Sequence, residues 1–199
     1  MTQPFPVQVG RATPAQLERI AVWLADRAIY EDAFMLAAPP DPAWVAASML
    51  LVKNNSGIEF QPVRFWSVAD AAGAQVGFAI DYGWDFAEDS AREIDCALVA
   101  YDGKNPRLAL YAFASLMHRL FSECGATALW ARVPLRGGGA GLSRFFAAIG
   151  TTVTKVGRVV QPTTKAELRR AYYTATPASF YASPLGMRAK ALELPRDGR

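Results

Sequence analysis

Two hydrophobic periods alternate along this chain: short runs with a period of two, and longer stripes with a helical period. Val7-Gln8-Val9-Gly10-Arg11 alternates and predicts a strand over Val7–Arg11. Thr13-Pro14-Ala15-Gln16 then starts a helix: Thr13 caps it, Pro14 suits the first position, and Gln16 completes a capping box. Leu17, Ile20, Ala21 and Leu24 form its apolar stripe. Pro39-Pro40 breaks the chain, and Asp41-Pro42 caps a second helix. That helix carries Trp44, Val45, Met49 and Leu50, and is expected to stop near Asn54-Asn55-Ser56-Gly57. Arg64–Ala69 and Gln75–Tyr82 flank an Ala-Ala-Gly turn and read as a β-hairpin. Arg92–Ala100 is the next strand.

A helix over Arg107–Ser122 follows, with Asn105 as cap and Pro106 at its first position. Leu110, Phe113, Ala114, Met117, Leu120 and Phe121 make one apolar face, and Gly125 closes the helix. Ala128–Val133 is a strand, Gly137-Gly138-Gly139 a flexible joint, and Leu142, Phe145, Phe146 and Ile149 the stripe of a short helix ended by Gly150. Val153–Val160 and Ala171–Thr176 supply two last strands. The order is β-α-α-β-β-β-α-β-α-β-β, an α/β (α+β) domain with a mixed, mostly antiparallel sheet. The strands Arg92–Ala100 and Ala128–Val133 should run parallel, because a strand-helix-strand unit of this length makes a right-handed crossover.

Composition narrows the function classes. The chain has 199 residues, 52% hydrophobic and 20% charged, which suits one globular domain. No run approaches the roughly 18 apolar residues of a membrane span. Met1-Thr2-Gln3-Pro4 carries no secretory signal pattern, so a cytoplasmic protein is the expectation, with a phage virion as the alternative. Cys96 and Cys124 sit in apolar contexts and read as structural thiols. One histidine and no Cys/His cluster argue against a zinc site. The net charge of +3 is mild, and much of it lies in Met187–Arg199. Residues 1–186 therefore read as one domain and 187–199 as a basic tail. No nucleic-acid recognition motif accompanies that tail.

The ordered set of elements over roughly Val7 to Ser183 resembles the GNAT (GCN5-related N-acetyltransferase) family. Val9-Gly10-Arg11-Ala12-Thr13-Pro14 is similar to its first strand running into its first helix. Phe145-Phe146-Ala147-Ala148-Ile149-Gly150 is similar to its last helix, and Ala171-Tyr172-Tyr173-Thr174-Ala175-Thr176 to its closing strand. The chain also resembles acetyltransferase-like proteins encoded in bacteriophage genomes.

The resemblance implies acetyl-CoA as co-substrate and a primary amine, on a small molecule or a protein, as acceptor. Backbone N–H groups at a helix N-terminus hold the CoA diphosphate with help from the helix dipole. The matching window is Asp102-Gly103-Lys104-Asn105-Pro106-Arg107. The family writes this turn as R/Q-x-x-G-x-G/A; Gly103 fits its R-G-x-G-x-G/A version, whereas Asn105 and Arg107 replace the two later small residues and Pro106 lacks an amide. Lys104 and Arg107 are the side chains that can add charge. The pantetheine arm is expected along the strand backbone at Leu98 and Val99, in a gap where the fourth and fifth strands splay. Glu93 and Asp95, two apart on one strand, are the candidate bases for the amine proton. Asp81, Tyr82 and Trp84 form a second acceptor-side group, and His118 reads as a surface or pocket-edge residue. The family's thiolate-protonating tyrosine falls on Phe146 and its asparagine on Gly139. Two readings follow: a working N-acetyltransferase, or a GNAT-like fold kept for binding or assembly, such as a phage particle component with protein partners.

Overall fold

The computed structural model describes residues 5–33, 36, 38–54, 57–83, 91–97, 106–134, 146–160, 165 and 167–193. The elements are β1 (Val7–Arg11), α1 (Pro14–Leu24), a π-helical turn (Ala28–Ala33), α2 (Pro42–Ala46), β2 (Met49–Asn54), β3 (Gly57–Asp70), β4 (Gln75–Gly83) and β5 (Ala91–Ala97). There follow α3 (Pro106–Ser122), β6 (Ala128–Pro134), β7 (Thr152–Val160), β8 (Glu167–Ala175), α4 (Pro177–Tyr181) and α5 (Pro184–Glu193). The sheet has the order β1-β3-β4-β5-β6-β8-β7, with β2 pairing on β3 outside that path. β5 and β6 are parallel, and all other strand pairs are antiparallel. The mixed α/β architecture is the one the sequence pattern predicts.

Local chemistry accounts for the element ends. Thr13 N–H donates to Gln16 Oε1 at 2.9 Å, and Gln16 N–H donates to Thr13 Oγ1 at 3.4 Å, so the capping box forms. Gly125 and Gly150 stop helical segments with φ of 66° and 70°. At Gly150 space is also closed, since a Cβ would lie 2.2 Å from the Ser179 carbonyl oxygen. Phe146 and Ala147 are helical, while the earlier residues of that expected helix lie outside the described residues.

One element departs from the sequence reading. The second helix ends at Ala46, and Met49–Asn54 is a strand rather than a helical continuation. Ser48, at φ 56°, turns the chain out of the helix. Met49-Leu50-Leu51-Val52 is apolar enough for either state, and here Leu50 is buried against α1 and α2. Asn54 pairs with Gly57, so strands meet where the helix was expected to stop; residues 55 and 56 lie outside the described residues.

The sheet has one apolar layer on each face. Ile20, Leu24, Val45, Phe65, Phe78 and Ile80 fill the side covered by α1 and α2. Trp66, Leu116, Met117, Leu120, Leu129 and Phe180 belong to the side covered by α3 and the C-terminal helices. Each such burial contributes about 1.5–3 kcal/mol before conformational entropy is counted. Part of the C-terminal segment takes part: Met187–Glu193 lies in α5, whose Ala189 is buried against α3, while residues 194–199 lie outside the described residues.

Candidate functional site

The central feature is a parallel ladder that stops early. β5 and β6 pair at Ala91↔Ala128, Arg92↔Leu129 and Glu93↔Trp130, and no further. Both strands continue: β5 stays on β4 through Ala97, and β6 stays on β8 through Pro134. The two halves of the sheet therefore part after Glu93. Ladder backbone groups of Ile94–Ala97 and Ala131–Pro134 that face the split have no strand partner across it. Backbone amides demand partners. An extended, amide-bearing ligand fits such an opening.

The sequence-predicted residues distribute around this split unevenly. Glu93 stands at the last paired position, opposite Tyr82 of β4 and Trp130 of β6. Asp95 stands two residues beyond it, opposite Ile80. Arg107 is the second residue of α3. For these three the backbone alone is described. Leu98, Val99, Gly103, Lys104 and Asn105 lie outside the described residues, as does Trp84.

Asp81 and Tyr82 belong to opposite faces of β4. Tyr82 packs in the layer under α1 and α2. Asp81 is fully buried beside Trp66, on the α3 side, and accepts from Arg64 Nε at 2.5 Å. Burial pushes the Asp81 carboxyl above its ordinary value, while the guanidinium groups of Arg64 and Arg11 and the Trp66 indole N–H draw it back. Arg11 stacks over the Trp66 ring at 5.0 Å. This pair knits the end of the β3–β4 ladder; it is placed on strand β4 next to β5, with Ile94 as its register neighbour.

Two further aromatic positions lie on or against α3. Phe146 is buried, stacks on Tyr173 at 4.0 Å, and meets Phe113 edge-on at 6.0 Å. It is a wedge joining α3 to β8. His118, read as a surface or pocket-edge residue, is buried rather than on the open surface, lines a cleft beside α3, and has its Nδ1 3.0 Å from Tyr181 Oη. It ties α3 to α4, some 18 Å along the helix axis from the α3 N-terminus, from the rise per residue.

Sequence reasoning missed the π-helical turn. It packs against β5 on the face covered by α1, and its Glu31 is buried with Arg27 Nε donating at 2.6 Å. Single π-turns concentrate at functional sites. The available signal was an Arg–Glu pair four apart with an otherwise apolar Ala28-Ile29-Tyr30 between them.

No family model matches the sequence, and no curated protein matches it. Solved structures do match. A candidate acetyltransferase of Acinetobacter baylyi aligns with a TM-score of 0.64 at 16% identity, covering 85% of this chain and 92% of that one. The GNAT superfamily phosphinothricin acetyltransferase of Sinorhizobium meliloti, solved with acetyl-CoA, aligns with a TM-score of 0.61 at 17% identity, covering 86% and 88%. The chain has the GNAT fold. The aminoglycoside acetyltransferase AAC(6')-Ib in complex with coenzyme A is also similar, with a TM-score of 0.59 at 19% identity over 88% of this chain and 98% of that one. The β2 strand and the helices α4 and α5 are not among the elements that the sequence pattern predicts. No helix among the described residues is long and apolar enough to cross a membrane.

Proposed function

We propose that this chain is an acetyl-CoA-dependent N-acetyltransferase acting on a primary amine. The observation that carries the reading is the split after Glu93, which leaves two strand edges open in the middle of a GNAT-fold sheet. Acetyl-CoA would supply the thioester whose acetyl group is transferred. The backbone beyond the split, including Leu98 and Val99, would hold its pantetheine arm, and Gly103, Lys104, Asn105 and Arg107 its diphosphate. Glu93 stands where the split begins and would take the amine proton, directly or through one water; Asp95 is the second base candidate. The neighbours solved with coenzyme A or acetyl-CoA support this assignment of the cofactor.

Phe146 favours the second reading, in which the fold is kept for binding or assembly, as in a phage particle. The position aligned with the family's acid is an apolar wedge. One experiment separates the two. Coenzyme A at about 100 times its Kd stabilises a protein that binds it by about 2.7 kcal/mol, so thermal melts with and without coenzyme A should part clearly. Glu93→Gln and Asp95→Asn should then lower acetyl transfer to small amines, the true base by about 10²–10⁴-fold, without removing that stabilisation. Coincident melts would retire the transferase reading.

A further inference from the structure

The free edge of β1 lies in a groove remote from the split, separated from it by β3 and β4. Ala12 N–H donates to the Phe65 carbonyl at 3.0 Å, which fixes the alternation of the β1–β3 ladder. By that alternation the N–H and C=O groups of Val7, Val9 and Arg11 point away from β3. Among the described residues no strand pairs with that side.

The cleft along this edge has a volume of about 490 Å³, within the range of ligand sites. One wall is formed by Ser115, His118 and Arg119 of α3 with Ala189 and Leu192 of α5. The other carries Gln16, Ala69 and Ser67. The Ser67 hydroxyl is 96% buried by its 4% exposure and has no hydrogen-bond partner. A buried hydroxyl without a partner lacks the hydrogen bond that would offset its desolvation.

The backbone period and the walls together select the ligand. Outward amides repeat every second residue, about 6.6–6.8 Å apart, which is the repeat of an extended peptide. Alternate side chains of an added strand would meet the two walls in turn. Charge selects further. Arg119 is already held by Glu123 at 2.8 and 3.0 Å. Arg11 lines the cleft with its guanidinium over the Trp66 ring at 5.0 Å, and the like charge of Arg64 acts on it against the attraction of Asp81, so a carboxylate in the cleft would meet positive charge there.

We propose that this groove binds an extended acidic peptide segment of a partner protein as an extra strand on β1, with a carboxylate against Arg11. The test uses the full chain and a fluorescein-labelled, end-blocked heptapeptide of alternating valine and threonine with a central aspartate. Anisotropy should show saturable binding with a Kd at or below about 1 mM. Arg11→Glu should weaken it about tenfold or more, as loss of a charge-assisted hydrogen bond does. N-methylation of one alternate set of peptide amides should abolish binding and of the other set leave it intact, a readout that needs no protein variant. Coenzyme A stabilisation should be unchanged in Arg11→Glu, which separates this groove from the transfer site. Absence of saturation, equal binding of both methylated peptides, equal binding of a control peptide with asparagine in place of the central aspartate, or self-association of the chain through β1 in sedimentation would each overturn the proposal.

Discussion

The β3–β4 ladder and the β5–β6 ladder are built from the same kinds of residue and end differently. β3 and β4 pair continuously from Val63↔Tyr82 to Val68↔Gly77 and resume at Ala69↔Gln75 across one irregularity. β5 and β6 stop after Glu93↔Trp130 although both strands run on. The first ladder carries a buried ion pair, Arg64–Asp81, among closed walls. The second leaves main-chain groups facing a gap. Strand length does not explain the difference. Each strand at the gap keeps its other neighbour, β4 for one and β8 for the other. The closed ladder is thus where stability should be vulnerable, and the open one where binding should be.

The largest effect should come from the closed side. Asp81→Ala removes the fully buried partner of an ion pair whose Arg64 side chain is 22% exposed. Denaturant unfolding should show a loss of about 3–5 kcal/mol. A loss within about 0.5 kcal/mol, the range of ordinary surface changes, would mean that this ladder is no more vulnerable than the gap. On the open side, Arg107→Glu should weaken coenzyme A binding by about 1.5–3 kcal/mol, one charge-assisted hydrogen bond, with the melting temperature of the free protein nearly unmoved. Calorimetry giving equal affinity would place the diphosphate elsewhere.

Phe146→Tyr tests the boundary between the regions. A hydroxyl added in the stack between Phe113 and Tyr173 has no water to face. Burying it without a partner should cost about 1–3 kcal/mol, with no gain in acetyl transfer. A faster variant would show that this ring reaches the reacting thiol.

The smallest effect is a pH dependence. The Asp81 carboxyl is raised in the folded chain, so the folded state holds its proton more tightly than the unfolded one does. Its contribution to stability is present in full below the unfolded value, near 3.9, and declines as pH rises through the folded value. The stability of the wild type relative to Asp81→Asn should fall from about pH 4 upward. A flat difference in thermal melts would mean that Asp81 titrates alike in both states.

Much of the fold was legible because its signals are local. The capping box at Thr13, the apolar face of α3 and the crossover between β5 and β6 follow from residue type and spacing. β2 was not, since Met49–Val52 has no period that separates helix from strand, and only its seat on β3 decides. The site was less legible. Glu93 and Asp95 were visible as carboxylates two apart, but nothing in their letters says that pairing with β6 ends at one and not the other. The burial of His118 depends on Tyr181, which arrives 63 residues later and from another element. Glu31 was hidden by the same cause, because the π-turn owes its place to packing on β5.

The clasp at the end of the chain has a consequence for synthesis. Arg188 of α5 lies 5.1 Å from the ring of Phe5 and 5.3 Å from that of Tyr111. These contacts join the last helix to the first strand's approach and to the middle of α3. A chain emerging from the ribosome N-terminus first can form α1, β3 and β4 early, but the outer flank of α3 stays uncovered until α5 is released. The outer flank of α3 is therefore closed by an element that follows all the described strands in the chain.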